Sequence, residues 1–175
     1  YVRIAPVMLA HLEGRCITRR RFPEGTDGDS FYEKNLPGAT PEWVVRQRVD
    51  ASSVPIDYPL ADSPATLIWL ANQGCIEMHP WLSRIENVEC PDLAVMDLDP
   101  AEGVSFIDVL KTALLVKEAL AQFNLKSYPK TSGATGLHIF VPIKPGYAYP
   151  SVTRAMQYIA ELIVKINPEQ TSVER

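Results

Sequence analysis

Two carboxylates one residue apart, Asp97 and Asp99, close an apolar run that reads Leu-Ala-Val-Met-Asp-Leu-Asp-Pro over residues 93–100. The run suits a buried strand, and Pro100 stops it. Side chains alternate across a strand, so residues i and i+2 share a face and the two carboxylates leave the sheet edge together. Like charges held that close repel each other, and a bound divalent cation is the usual way to make the arrangement favourable. The pair is a candidate site for Mg²⁺ or Mn²⁺.

Downstream, Thr131-Ser-Gly-Ala-Thr-Gly136 is a small-residue loop, followed at once by a strand-like segment with His138 at its start. Asp97, Asp99, Ser132, Gly133 and His138 together suit a metal-bound triphosphate. The carboxylates hold the cation, the loop offers backbone N–H groups and a hydroxyl to phosphate oxygens, and the imidazole adds a donor. Phosphoryl and nucleotidyl transfer need this inventory, because the protein mainly positions reactants and neutralises charge. Alone, an Asp-x-Asp pair can cap a turn and a Ser-Gly-x-x-Gly loop can be a plain hairpin. Here the pair ends one strand and the loop joins two others nearby in sequence, so they can converge.

Other chemistry-bearing residues are scattered. His79, before Pro80, ends a short strand that places Glu77 on its own face. Phe31 and Tyr32 stand beside Lys34, a combination that can stack bases and hold phosphates, with core packing as the plain alternative. Arg15, Arg19, Arg20 and Arg21 form a local basic patch expected to make one surface with the turn-rich segment after Phe22. Cys75, His79, Cys90 and His138 could in principle hold zinc, but their spacing matches no ribbon or finger.

The elements that position these groups follow from pattern. Residues 1–13 have helical spacing, with Gly14 at the cap; residues 16–22 and 43–49 read as strands, and Pro55 and Pro59 mark an irregular connection. Ser63-Pro64 opens a helix ended by Gly74. Ser105 and Asp108 form a capping box for a helix to about Phe123, with Phe106, Val109, Ala113, Val116, Leu120 and Phe123 on one face. Strands at 126–130 and 137–143 precede a final amphipathic helix stopped by Asn167-Pro168.

The 175 residues, 46% hydrophobic and 22% charged, suffice for one sizeable core, and a single domain is expected over residues 1–175. No apolar run approaches the roughly 20 residues of a membrane helix, and no signal peptide is visible, so a soluble, cytoplasmic protein is expected. Three cysteines without paired spacing argue against a disulfide framework. A net charge of −4 argues against a protein that coats nucleic acid along its whole surface. The absence of an initiating Met suggests that Tyr1 is the trimmed edge of a longer polypeptide.

Six segments in the same order give a stronger clue: Arg19-Arg-Arg-Phe-Pro-Glu-Gly, Phe31-Tyr-Glu-Lys-Asn, Pro64-Ala-Thr-Leu-Ile-Trp-Leu-Ala-Asn, Glu77-Met-His-Pro-Trp-Leu-Ser-Arg, Met96-Asp-Leu-Asp-Pro and Lys130-Thr-Ser-Gly-Ala-Thr-Gly-Leu-His. Over essentially the whole chain they resemble the polymerase domain of bacterial DNA ligase D. The same pattern occurs in stand-alone end-joining primase-polymerases of the archaeo-eukaryotic primase superfamily. The resemblance implies nucleotide addition to DNA 3′ ends in non-homologous end joining, with a preference for ribonucleotides and Mn²⁺. It makes Asp97 and Asp99 metal ligands and assigns His79, Ser132, Gly133, Thr135 and His138 to the incoming nucleotide. Phe31 and Tyr32 would lie against template or terminal bases, with Lys34 and Arg19–Arg21 facing the nucleic-acid backbone. The implied partners are DNA ends with a 3′ hydroxyl, nucleoside triphosphates, and a ligase domain or Ku-type end-binding protein. The implied location is nucleoid-associated.

The chain departs from that pattern in three ways. Many ligase members carry lysine where Thr135 stands. The family's domain begins earlier, with a basic segment that captures the 5′ phosphate. The third catalytic carboxylate belongs to a strand beyond a segment resembling residues 170–175, and Asp108, Glu161 and Glu169 do not match it. The expectation is therefore a domain incomplete at both ends that keeps its fold and a nucleotide–metal site but polymerises poorly. A non-catalytic DNA-end or nucleotide-binding module of the same fold is the alternative, and a metal-dependent phosphohydrolase a third. The expected fold is α/β (α+β): a mixed, mostly antiparallel central sheet bearing the aspartates, covered by helices starting near Ser63, Ser105 and Ser151.

Overall fold

The computed structural model describes residues 1–50, 54–169 and 171–173. The chain falls into two compact units, Tyr1–Val88 and Glu89–Arg175.

The first unit opens with helix α1 (Ala5–Leu12), then β1 (Ile17–Arg21), β2 (Phe31–Glu33), β3 (Arg46–Val49), β4 (Ile56–Pro59), α2 (Pro64–Asn72) and β5 (Cys75–Pro80). β1 lies between β2 and β5 in an antiparallel three-stranded sheet, and β3 and β4 form a separate antiparallel pair. A bridge between Cys16 and Leu60 ties the pair to the three-stranded sheet. The Ser63 hydroxyl accepts from the Thr66 N–H (3.2 Å), which starts α2 as the cap pattern expects. α1 and α2 bury Ala5, Leu12, Leu67 and Leu70 with Ile17 and Cys75. Tyr58, Leu60, Val49 and Cys16 form a smaller cluster, with the Tyr58 and Trp81 rings edge to face at 5.0 Å.

The second unit runs β6 (Leu93–Leu98), α3 (Phe106–Gln122), β7 (Tyr128–Thr131), β8 (Leu137–Pro142) and α4 (Tyr149–Ile166). Its sheet is antiparallel, in the order β6-β8-β7. Ala94, Leu137, Ile139 and Val141 on one sheet face pack against Val109, Val116 and Leu120 of α3 and Ile159 and Ile163 of α4. Two helices cover one face and leave the other open. Ser105 starts α3, its hydroxyl donating to Asp108 Oδ2 (2.7 Å) and accepting from the Asp108 N–H.

The class and the antiparallel pairing are as the sequence predicts, with several corrections. Among the described residues the strands divide among three sheets rather than one central sheet, and within its own unit α2 packs on β5 and α1. The Pro55–Pro59 connection contains strand β4. Pro59 closes it opposite Arg46, at a strand end where a missing N–H is tolerated. Phe106 and Phe123, at the two ends of the α3 stripe, remain 44% and 48% exposed. Among the described residues, no helix is long and apolar enough to cross a membrane.

Candidate functional site

In the second unit, β6 presents Asp97 because its neighbours Met96 and Leu98 point into the helix-covered core. Asp97 lies opposite His138, and His138 lies opposite Lys130 on the other side of β8. Opposed residues of antiparallel strands project to the same face. Carboxylate, imidazole and ammonium therefore form one row across the open face, with His138 Nε2 3.5 Å from Asp97 Oδ1. Lys130 is the residue that reading the sequence missed, although its even spacing from Ser132 and His138 was the signal.

Asp99 leaves the end of β6 beside Gly136. A Cβ on Gly136 would stand 2.6 Å from Asp99 Oδ1 and 2.6 Å from the Leu98 carbonyl oxygen, so this approach requires glycine. The β7–β8 hairpin is closed by two bonds: the Ser132 N–H donates to the Gly136 carbonyl (3.1 Å), and the Gly136 N–H donates to Ser132 Oγ (3.1 Å). The hydroxyl accepts in that bond, which leaves its own hydrogen to donate outward. Gly133 takes φ +104°, and Ala134 and Thr135 form the exposed tip. A cleft of about 420 Å³ separates that tip from the Pro100–Phe106 loop.

The donor set fits a hard divalent cation. Asp97 and Asp99 are exposed oxygen donors on one face, and among the described residues no Lys or Arg pairs with either. Those residues contain no group of three or more His, Cys, Asp or Glu side chains placed to hold a metal. Asp108 is committed to Ser105 and Lys111, whose bonds hold its carboxyl below the usual carboxylate range, and Glu161 accepts from Gln157. Glu169 lies exposed beyond α4, and residues 170, 174 and 175 fall outside the described residues. Among the described residues the zinc set does not assemble. Cys75 is buried against Ile17 and Leu67, with its thiol pushed up to about 11 mainly by that burial.

In the first unit, strand alternation splits the basic patch. Arg20 faces outward with Thr18, Phe22, Tyr32, Glu77 and His79; Arg19 and Arg21 face the core side with Phe31 and Glu33. On the outer face, Glu77 Oε1 pairs with Arg20 Nη1 (3.0 Å) and Glu77 Oε2 lies 3.4 Å from His79 Nε2. The Arg20 guanidinium lies 5.1 Å from the Phe22 ring centre and 5.7 Å from that of Tyr32, and Tyr32 tilts against His79 at 5.4 Å.

On the other face, Arg19 is fully buried, so the expectation that it meets a nucleic-acid backbone is corrected. Its Nη2 donates to the Asn35 carbonyl (2.6 Å) and pairs with Glu33 (3.0 Å), and desolvation lowers its pKa against the pull of Glu33. Arg21 shares Glu33 and donates from Nε to the Gln73 carbonyl at the end of α2 (2.7 Å). Phe31 lies under Arg21 on that same side, so Phe31 and Tyr32 do not form a single stacking pair. Lys34 is exposed just beyond β2.

Comparison with known proteins agrees with the resemblance. The LigD protein of Mycobacterium tuberculosis, a multifunctional non-homologous end joining DNA repair protein, is 34% identical over 176 residues, covering 96% of this chain and 23% of the relative. The bifunctional non-homologous end joining protein LigD of Bacillus subtilis is 31% identical, covering 99% of this chain and 28% of the relative. The chain thus spans about a quarter of the length of these relatives. The solved polymerase domain of M. tuberculosis Ligase D in complex with DNA superposes with a TM-score of 0.89 at 34% identity, over 96% of this chain and 61% of that one. Residues 1–175 match the family described as LigD, primase-polymerase domain, and the chain belongs to that family.

Proposed function

We propose that the chain transfers nucleotides to DNA 3′ ends in non-homologous end joining, both units serving one primase-polymerase domain. The observation that carries this reading is the row of Asp97, His138 and Lys130 beside the Ser132–Gly136 hairpin. In the reaction, the primer 3′ oxygen attacks the α-phosphorus of a nucleoside triphosphate, ribonucleotides being preferred, and pyrophosphate leaves. Asp97 and Asp99 would hold Mn²⁺ or Mg²⁺, which would supply positive charge to the phosphates and to the developing alkoxide. Ser132 Oγ and the backbone N–H groups of Gly133 to Thr135 donate to phosphate oxygens, and His138 and Lys130 add donors from the sheet. His79 contacts the nucleotide, Tyr32 stacks on a base, and Arg20 meets backbone phosphate. Phe31 and Lys34 contact the nucleic acid from the edge strand β2. The partners in this reading are DNA ends in the nucleoid, with a ligase domain or a Ku-type protein.

Titration with ATP in the presence and absence of Mn²⁺, followed by extension of a DNA primer with ribonucleotides, tests the reading. The expected result is metal-dependent binding that falls more than about a hundredfold in Asp97→Ala, with weak primer extension that the same substitution abolishes. Metal-independent binding unchanged by Asp97→Ala would overturn it. The lack of a third carboxylate beside the pair among the described residues favours one second reading, a nucleotide-binding module of the same fold. That module binds Mn²⁺–ATP and forms no phosphodiester bond; pyrophosphate release without extension would point instead to a phosphohydrolase.

A further inference from the structure

The outer face of the first unit holds a carboxylate where a polyanion-binding surface should avoid one. Glu77 sits between Arg20 and His79 and spends one oxygen on each, at 3.0 and 3.4 Å. The three side chains are 41%, 35% and 48% exposed in the order Glu77, Arg20, His79. Ion pairs this exposed are screened by solvent and add little to stability, so the bridge is worth little to the fold. Its effect on geometry is larger. Arg20 also donates from Nε to Ser30 Oγ (3.0 Å) and lies beside the rings of Phe22 and Tyr32, and Tyr32 rests against His79. Long side chains on an open sheet face otherwise sample many rotamers, and binding would have to order them.

From this geometry we infer that Glu77 is a positioning residue, holding the Arg20 guanidinium and the His79 imidazole in the orientation in which they meet the anionic ligand. The inference rests on the proposed role of His79 at the nucleotide. With Nε2–H directed at Glu77, the imidazole presents Nδ1 outward as an acceptor for a hydroxyl of the ligand, and the second Nη of Arg20 stays available to a phosphate. A carboxylate in this place trades some repulsion for order in one cationic donor and one ring acceptor.

Charge and positioning predict opposite signs, which makes the test sharp. Glu77→Ala and Glu77→Gln remove the same negative charge, but only Gln keeps an acceptor for Arg20 and a polar partner for His79. The expected result is that Glu77→Ala binds Mn²⁺–ATP about five- to tenfold more weakly despite its more favourable charge, while Glu77→Gln lies nearer the parent protein. Equal tightening in both variants would overturn the inference, because Glu77 would then act only as a repelling charge. A ligand-free readout separates this outcome from failure of the proposed function. In long-range ¹H–¹⁵N spectra, the His79 ring of the parent protein should carry its proton on Nε2, and Glu77→Ala should move it to the averaged shifts of a free imidazole. An unchanged ring signature overturns the inference whether or not nucleotide binds.

Discussion

The two open sheet faces carry similar residue types and solve opposite electrostatic problems. On the β2-β1-β5 face, the acidic Glu77 is matched to Arg20 and His79, and the guanidinium is further flanked by two aromatic rings. On the β6-β8-β7 face, the ion-pair partner of the aspartates among the described residues is the His138 imidazole, 3.5 Å from Asp97. The first face is balanced in the free protein, and in the proposed reading its donors and π surfaces meet bases and phosphates. The second is left with uncompensated negative charge, which in the proposed reading a cation from solution completes. Changes on the second face should therefore act on metal and nucleotide binding directly, and changes on the first through the order of its donors, with smaller effects on binding.

The largest break should come from Asp97→Ala, which halves the carboxylate pair and should cost more than about a hundredfold in Mn²⁺–ATP affinity with little change in melting temperature. A loss of the same size on the other face, from Arg20→Ala, would remove the distinction. Next is Arg19, whose importance is to the fold. Arg19→Ala empties a fully buried site and takes one cation from Glu33, so a loss of roughly 3 kcal/mol is expected in denaturant unfolding. A loss below about 1 kcal/mol would mean that Arg21 alone satisfies Glu33.

Gly136→Ala comes third and acts at the junction of fold and site. The new methyl meets the Leu98 carbonyl and the Asp99 carboxylate at 2.6 Å, and the carbonyl belongs to a paired strand that cannot easily yield. A loss of about 1–3 kcal/mol is expected, with weaker metal binding because Asp99 is pushed aside. Unchanged metal affinity in the folded variant would show that Asp97 alone sets it.

These residues also mark how far the sequence could be read. The Asp-x-Asp strand, the caps at Ser63 and Ser105 and the Ser132–Gly136 hairpin were legible because each is a local pattern a few residues long. The division into three sheets was not, since pairings such as Cys16 with Leu60 join positions far apart in sequence. Strand β4 was hidden by its flanking prolines. The basic patch divides for a different reason: period two separates Arg20 from Arg19 and Arg21, so one run of arginines serves two faces. Which face was buried needed the position of α2, whose last turn receives Arg21 at the Gln73 carbonyl.

The smallest effect sharpens the comparison most, because Lys130 tests whether the second face extends its row of groups beyond His138. The ammonium lies two strands from Asp97, is exposed, and stands on the strand that leads into the hairpin. The family resemblance implies a lysine on the loop where this chain has Thr135, and in the proposed reading a cation on β7 supplies that charge to the triphosphate. An exposed ammonium acts through a screened field, worth about 1 kcal/mol at low salt and less as ionic strength rises. Lys130→Ala should accordingly weaken Mn²⁺–ATP binding about three- to tenfold at low salt, and the gap from the parent protein should close as salt is added. Lys34→Ala, beyond β2 on the first unit, should leave nucleotide affinity unchanged and lower DNA affinity with a reduced salt slope. If the two variants behave alike toward Mn²⁺–ATP, the row ends at His138 and the nucleotide's charge is met by the hairpin and the cation alone.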